Sequence, residues 1–376
     1  VPTAVAAAKN ATNGTNPATT PGGIPFIQGS NHKNIRITSY SYQLTAGGSQ
    51  EFVTDITPGG FLRGVRLSWK STGGALGGGT ITADGSAAIF SSVSLENIDG
   101  GLFIYPMDGF AHRMHQKYMR PWDGDPTKRS GSTSETWSDT INPAGMLKLY
   151  PELRDTAGVL SNTDARAKYR VRFTLGPGSR LVTGGAPTYP TVTVTLYAES
   201  WAQTDVQDLQ GNKIEELPPG LALSHVIRHQ ILPLNSGGSN NTFQLTNVGN
   251  EIRGLMAIVR DQNGVRQDYL TDPIRRTIDD RTLGVESPDE VFHHMEDFYD
   301  FLRNNTATRE TGIYVWPRFR APGDMIGQYW LPTNSGTYYI TETATSSALG
   351  GNLGTVEWIT DEVVPLAPIP VELDGI

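Results

Sequence analysis

Period-two alternation of apolar and polar residues dominates the chain after Asn31. Across Thr191 to Trp201, Val192, Val194, Leu196 and Ala198 fall on one face, and Thr191, Thr193, Thr195 and Tyr197 on the other. That pattern predicts a half-buried strand. Tyr169, Val171, Phe173 and Leu175 repeat it between basic side chains, and Phe61 to Lys70 reads as a strand with Val65, Leu67 and Trp69 inward. Ile89 to Leu95, Gly312 to Phe319, Tyr338 to Thr343 and Val356 to Glu362 are further strands. Asn263-Gly264 predicts a type I′ turn, whose two central positions both need positive φ. Helical periodicity occurs in two places. Met107, Ala111, Met114 and Tyr118 form one stripe with Phe110 beside it. Ser287-Pro288-Asp289-Glu290 is a capping box with proline at the first helical position, and it leads into Val291, Met295, Phe298 and Leu302.

These elements fall into two similar halves. Gly47 to Gly64 aligns without a gap on Gly237 to Gly254, at an offset of 190 residues. Both segments place an apolar residue, Leu62 or Ile252, before an Arg-Gly pair at the start of a strand. The two halves are therefore expected to superpose, with Arg63 and Arg253 leaving the core on the same side and Gly64 and Gly254 permitting a bulge or a close backbone approach. Asp205 to Gly220 is polar, ends in Pro218-Pro219 and reads as a linker. The expected fold is all-β: two tandem eight-stranded antiparallel sandwiches, each with one short flanking helix.

Composition narrows the class. The 42 glycines and 24 prolines, with only 18% charged residues, suit many short strands joined by turns and disfavour a helical bundle. The absence of cysteine removes disulfides and Cys-bearing zinc sites, though not an all-His/carboxylate metal site. A net charge of −8 argues against coating nucleic acid. No apolar run reaches the roughly 18 residues of a membrane span, and no basic-then-apolar leader is present, so a soluble, non-exported chain is expected. Charge is unevenly spread: no acidic residue occurs from Val1 to Gln50, against Lys9, Lys33 and Arg36. This end reads either as a bland tail or as an arm that meets an anionic surface. Low complexity from Val1 to Gly29 means that it orders only against a neighbour.

Taken in order, the elements resemble the double jelly-roll major capsid proteins of tailless icosahedral double-stranded DNA viruses, of the tectivirus-like kind infecting bacteria. The residues carrying the resemblance are Gly59-Gly60-Phe61-Leu62-Arg63-Gly64 running into Val65 to Trp69, then Ile89 to Gly101 leading to the helix at Met107. In the second half they are Gly249 to Leu255, Asp272-Pro273-Ile274-Arg275-Arg276, and the helix ending Met295-Glu296-Asp297-Phe298-Tyr299. The resemblance implies a virion protein assembled in the host cytoplasm, forming homotrimers that give pseudo-hexagonal capsomers and meet neighbouring capsomers, vertex (penton) and minor capsid proteins. It also implies a helix between the sixth and seventh strands of each barrel and, in membrane-containing members, an N-terminal arm facing an internal membrane. The expected division is an N-terminal arm (1–33), a first jelly roll (34–205), a linker (206–220), a second jelly roll (221–362) and a C-terminal arm (363–376). Val363 to Ile376 carries three prolines among apolar residues, unlike an ordinary central strand. Phe103, Ile104, Tyr105 and Pro106 read as apolar loop residues covered by neighbouring subunits.

No catalytic, cofactor-binding or metal-binding residue is assigned. His112 and His115 lie three apart on a helix, and His293-His294 lie near Glu296 and Asp297. Two ligands on one helix do not make a site, so these read as surface or interface histidines. Asp279, Asp280 and Asp289 lack EF-hand spacing and read as solvated turns. There is no P-loop, G-x-S-x-G elbow or HExxH motif. Asn10, Asn13, Asn240 and Asn304 begin glycosylation sequons and are expected to be unmodified. The alternative function is a jelly-roll protein that binds or cleaves carbohydrate, for instance a phage receptor-binding component. Cleavage needs a carboxylate pair across a cleft, and nothing in the spacing joins Glu96, Glu199 and Glu357. The seven tryptophans are spread through both halves rather than grouped as a sugar platform, which favours a structural role.

Overall fold

A computed structural model describes residues 32–119, 138–145, 160–162, 166–201, 210–211, 224–235, 240–245, 250–278, 281–299, 302, 309–319, 331–333, 338–344 and 354–364. The first half contributes β1 (His32–Gln43), β2 (Gln50–Asp55), β3 (Phe61–Thr72), β4 (Phe90–Asn97), β5 (Leu102–Met107), helix α1 (Gly109–Met119), β6 (Ser138–Gly145), β7 (Tyr169–Leu175) and β8 (Thr191–Trp201). The second contributes β9 (Ser224–Leu234), β10 (Asn240–Leu245), β11 (Glu251–Arg260), β12 (Leu270–Ile278), β13 (Arg281–Glu286), helix α2 (Pro288–Phe298), β14 (Ile313–Pro317), β15 (Tyr338–Ala344) and β16 (Gly354–Val364).

In the first half the sheets run β1-β8-β3-β6 and β5-β4-β7-β2. In the second they run β9-β16-β11-β14 and β13-β12-β15-β10, which is the same order with eight added to every label. Each half is a complete jelly roll. The two are not separate bodies: β5 pairs in parallel with β9 at Ile104 and Ile227, so one sheet of the first half continues into one sheet of the second. Short bridges join Leu160–Ser161 to β3 and Leu331–Pro332 to β11 at corresponding places.

The 190-residue offset holds to the residue: it carries β2 onto β10 and the start of β3, Phe61, onto the start of β11, Glu251. Register shifts fall in the same place as well. Between β3 and β8, Leu62 pairs with Ser200 and Gly64 with Glu199, leaving Arg63 as the extra residue. Between β11 and β16, Ile252 pairs with Glu362 and Gly254 with Asp361, leaving Arg253. An extra residue in one strand bends the ladder and raises its twist, so the shared Arg-Gly marks a bulge in both copies.

The alternating strands bury the residues expected of them: Val192, Val194, Leu196 and Ala198, the β7 set, and Val65, Leu67 and Trp69 are all core. Trp69 meets Phe90 edge-on at 4.9 Å between centroids, and Trp358 meets Phe243 at 5.5 Å in the second core.

Several expectations need correcting. Counting the eight sheet strands of each half, the helix follows the fifth, not the sixth; α1 follows a sixth only if the two-residue strand Thr80–Ile81 is included. Phe103 to Pro106 are not loop residues awaiting a neighbour. They form β5, whose Ile104 is buried and pairs with Ile227 of β9 and whose Tyr105 hydroxyl accepts from Arg228 at 3.1 Å, while Phe103 packs on Tyr169 of the first half and Pro106 stays exposed. Asn263-Gly264 is not a two-residue turn. Gly264 N–H donates to Asp261 O at 3.0 Å and Gly264 stands at positive φ, 76°, while the Asp261 carboxylate accepts the N–H groups of Asn263 and Val265. An aspartate opening the turn supplies the acceptor that makes this longer loop stable. Strand β16 runs through Val364, and Val363 is buried between β9 and β11, so the last strand enters the segment expected to be an arm. Residues 1–31 and 365–376, and most of the linker, lie outside the described residues.

Candidate functional site

The densest chemistry lies where the first jelly roll meets the second, and α1 organises it. The Asp108 carboxylate accepts Ala111 N–H at 2.7 Å and caps the helix. Gly109 comes next because a Cβ there would sit 2.3 Å from Ala87 O. Every residue of α1 is buried, including Arg113, His115, Gln116 and Lys117, since the second sandwich covers the side turned away from the first core. Gly254 lets β11 approach: a Cβ would lie 2.4 Å from Met119 Sδ.

Two ion clusters fill this junction. The first centres on Asp361 of β16. Its Oδ2 accepts from Arg253 Nη1 at 3.0 Å and lies 3.1 Å from His115 Nε2, and its Oδ1 meets His225 Nε2 of β9. Arg253 also donates to Met119 O at 2.6 Å, tying the end of α1 to the bulge of β11. Burial alone would raise the Asp361 pKa, but His225, Arg253 and the histidine hydrogen bonds outweigh it and hold the carboxyl well below its ordinary range.

The second cluster lines a cleft of about 770 Å³ between the halves. Arg260 Nε donates to Glu357 at 2.6 Å, and its Nη1 to Asp84 at 2.6 Å. Arg266 reaches the other Asp84 oxygen at 2.8 Å, Arg180 reaches Asp108 at 3.1 Å, and His229 lies 3.3 Å from Glu357. Burial and the Glu357 charge raise the Asp108 pKa above its usual value despite Arg260. Glu357 is shifted the other way: the His229 hydrogen bond and the Arg260 charge overcome its burial. At the far end of α1, Lys117 and the Tyr118 hydroxyl donate to Glu310 at 2.5 and 2.7 Å.

His115, His225 and Asp361 are the one group among the described residues close enough to share a metal ion. Both oxygens of the carboxylate already face donors, and the Arg253 guanidinium beside them repels a cation, so the cluster fits a hydrogen-bonded ion knot better than a metal centre. The Asp108 and Glu357 carboxylates are opposed in pKa as an acid/base pair would be. Their oxygens accept from the helix cap, arginines and a histidine, which ties both carboxylates into the contact between the sandwiches. What this arrangement does chemically is fix one sandwich against the other.

The histidines of α1, expected at the surface or an interface, are both buried, and His115 stands at the interface between the two sandwiches of one chain. His115 is brought to Asp361, while His112 Nε2 lies 3.0 Å from Val93 O and does not join the cluster. His293 stays exposed, 3.7 Å from Glu296. Asp289 sits in the first turn of α2, while Asp279 and Asp280 lie outside the described residues. Glu96 pairs with Arg172 on the first half, Glu199 stands on β8, and Glu357 is in the junction, so the three do not converge. Of the sequon asparagines only Asn240, in β10, is described. Arg253 leaves the second sandwich's core on the outer face of its sheet, as expected, but ends fully buried beneath α1 rather than in solvent, while the side chain of Arg63 lies outside the described residues.

Sequence reasoning missed Asp84, His225, His229, Arg253, Arg260 and Asp361 as a group. A signal existed: Leu255 to Val259 is an unbroken apolar run ending in Arg260, the mark of a strand covered on both faces.

No family model matches the chain, and no curated protein matches it by sequence. Solved structures do match. The STIV MCP is 11% identical with a TM-score of 0.56, covering 92% of this chain and 100% of that one. PBCV-1 VP54 is 12% identical with a TM-score of 0.59, over 90% and 95%. The Faustovirus major capsid protein is 10% identical with a TM-score of 0.56, over 97% and 94%. At such identities the likeness is one of fold, and it extends over both jelly rolls and the junction between them.

Proposed function

We propose that this chain is the major capsid protein of an icosahedral virus, building the virion shell from trimeric, pseudo-hexagonal capsomers. The observation that carries the reading is the pair of complete jelly rolls with identical strand order, locked by a buried junction, matching capsid proteins along nearly their whole length. Its role is structural: the buried carboxylates serve as ties between the sandwiches. Its partners are neighbouring capsomers and, at the vertices, penton and minor proteins. Residues 1–31, which precede β1 at His32, and the proline-rich C-terminal residues serve as arms, because neither composition supports a core of its own. The acid-free N-terminal arm is turned inward, where an internal membrane would lie if the virion has one.

Light scattering of the purified protein and electron microscopy of native particles test the reading. The expected result is a trimer that tiles into shells, with deletion of Val1 to Gly29 leaving the trimer folded and shell formation impaired. A stable monomer or dimer at micromolar concentration overturns it.

A further inference from the structure

The cleft between the sandwiches carries more positive charge than its own carboxylates neutralise. Its lining cations are Arg180, Arg260, Arg266 and His229, and its lining carboxylates are Asp84, Asp108 and Glu357. His229 is a cation on geometry: its Nδ1 lies 2.8 Å from Pro106 O and its Nε2 3.3 Å from Glu357, and a ring set between two acceptor oxygens carries both protons. Burial opposes that charge, and the hydrogen bond and charge of Glu357 outweigh it. Four cations against three carboxylates leave at least one positive charge without a counter-ion among the lining residues. Burial moves Asp108 toward its neutral acid, which only enlarges the surplus.

The surplus has a place. Arg180 Nη2 and Arg260 Nη2 approach the same oxygen, Asp108 Oδ2, at 3.1 and 3.6 Å. The Arg260 side chain is nine-tenths buried, and its Nη2 has no hydrogen-bond partner among the described residues. Arg180 spends Nε on Ala88 O and Nη2 on Asp108, which leaves Nη1 without a bond to any described residue. Apolar side chains complete the lining: Ile81, Ala88, Met107, Ile231 and Val265. Ile231 and Val265 are 58% and 50% exposed, two of the six large apolar side chains so exposed among the described residues.

We propose that this cleft binds a small amphipathic carboxylate, with the open guanidinium edges of Arg180 and Arg260 taking the carboxylate group and Ile231 and Val265 packing on the apolar body. Two donor edges match the two oxygens of a carboxylate, and charge-assisted bonds of this kind are the strong ones. A neutral ligand leaves the surplus charge and the buried Nη2 unpaired, and a cation adds to the repulsion. The volume of about 770 Å³ lies in the range of small-molecule sites, and its walls are mainly apolar with a few converging polar groups, as such sites are. Arg180 belongs to the first sandwich and Arg260 to the second, so a bound carboxylate bridges the two and stabilises the chain against unfolding. Asp108 does not bar the anion, because its oxygens already accept from Ala111 N–H and Arg180.

Isothermal titration of the full chain with octanoate, octan-1-ol, octylammonium and acetate tests the site. Octanoate is expected to saturate one site per chain and to bind at least about tenfold more tightly than each of the other three. No saturable binding of octanoate below its micelle-forming concentration, or equal binding of octan-1-ol, overturns the proposal. Arg180→Gln should weaken octanoate about tenfold, and Ile231→Ser with Val265→Ser by a similar factor. Val285→Ser removes an apolar side chain that is 51% exposed on β13, outside the cleft, and should leave the affinity unchanged. Affinity indifferent to both cleft variants, or reduced as much by Val285→Ser, overturns the site as adventitious apolar binding. Thermal unfolding checks that each variant is folded, and the comparison of ligands on the wild type decides the matter if one is not. None of these readouts depends on the trimer, so the capsid reading and this site fail separately.

Discussion

The sheets β1-β8-β3-β6 and β9-β16-β11-β14 have one topology and one bulge, yet opposite surroundings. In β8, buried and half-buried residues alternate along the strand; in the equivalent β16 nearly every residue is buried. The same contrast separates β3 from β11, where everything from Ile252 to Arg260 is buried. Position by position, Lys70 of the open sheet becomes Arg260, and Thr195 becomes Glu357. The inward residues stay apolar in both copies, so the core specifies the fold. The outward residues record what each copy faces: hydroxyls and a lysine toward solvent, apolar groups and neutralised charges toward the other sandwich. A buried charge is tolerated only with partners, which is why Asp361, Glu357 and Asp84 each meet an arginine.

The sharpest break in this comparison comes from removing one member of a buried pair. Asp361→Asn leaves Arg253 buried without its counter-charge and should cost about 3–5 kcal/mol in denaturant unfolding. Glu199→Gln, at the same register position on the open sheet, should stay within about 0.5 kcal/mol. The acid limb follows from the same residues. Asp361 and Glu357 have folded pKa values below their ordinary ones, so their stabilisation is present above about pH 4 and is lost as pH falls through the folded values. Asp108, raised by burial, acts in the opposite sense, favouring the fold at low pH and opposing it as pH rises. His229, raised by its Glu357 bond, stabilises below about pH 6.5 and loses that effect as pH rises through its folded pKa. Unfolding midpoints from pH 7 down to 2 should show the Asp361→Asn protein with a flatter acid limb than wild type.

A smaller effect is expected where backbone approach is the issue. Gly254→Ala forces a methyl group into Met119 at the junction, and overpacking of this kind costs about 1–3 kcal/mol. Pairing it with Met119→Ala should recover part of the loss in a double-mutant cycle; complete additivity would mean that the close approach is not what fixes glycine there.

These contrasts also explain what was legible beforehand. The one-sided strands β7 and β8 were readable because alternation encodes one dry and one wet face. The Arg-Gly bulge was readable because duplication wrote it twice. Junction residues were not: His115 and Asp361 are 246 positions apart, and no local pattern reports that a helix of one half will cover a sheet of the other. The apolar stripe of α1 told only of the first core, while its polar face looked solvated and is buried.

The two helices extend the comparison at lower energy. In α2 the Ser287 hydroxyl accepts Glu290 N–H at 3.2 Å and the Glu290 carboxylate accepts Ser287 N–H at 2.7 Å. Ser287→Ala should cost about 1 kcal/mol, with the far-ultraviolet helical signal slightly reduced. Asp108→Ala should cost more, because the cap of α1 also neutralises Arg180 in the cleft.

The smallest effect belongs to the open sheet. The Thr195 and Ser39 hydroxyls lie 2.7 Å apart across β8 and β1 on the outer face. Thr195→Val removes this bond, but Ser39 is left half-buried at the sheet surface rather than sealed in a core, so it need not lose all its hydrogen bonding. Valine also suits a pleated, half-buried surface at least as well as threonine. The two terms oppose each other, and unfolding below the association concentration should change by no more than about 0.5 kcal/mol. Glu357→Gln, at the matching position in β16, withdraws a charge from both Arg260 and His229 and should be several times more costly. If Thr195→Val instead destabilised the isolated chain as strongly as Glu357→Gln, the outer face of β8 would already be covered in that chain, and the contrast between an open and a closed sheet would fail at the position where it is most simply drawn.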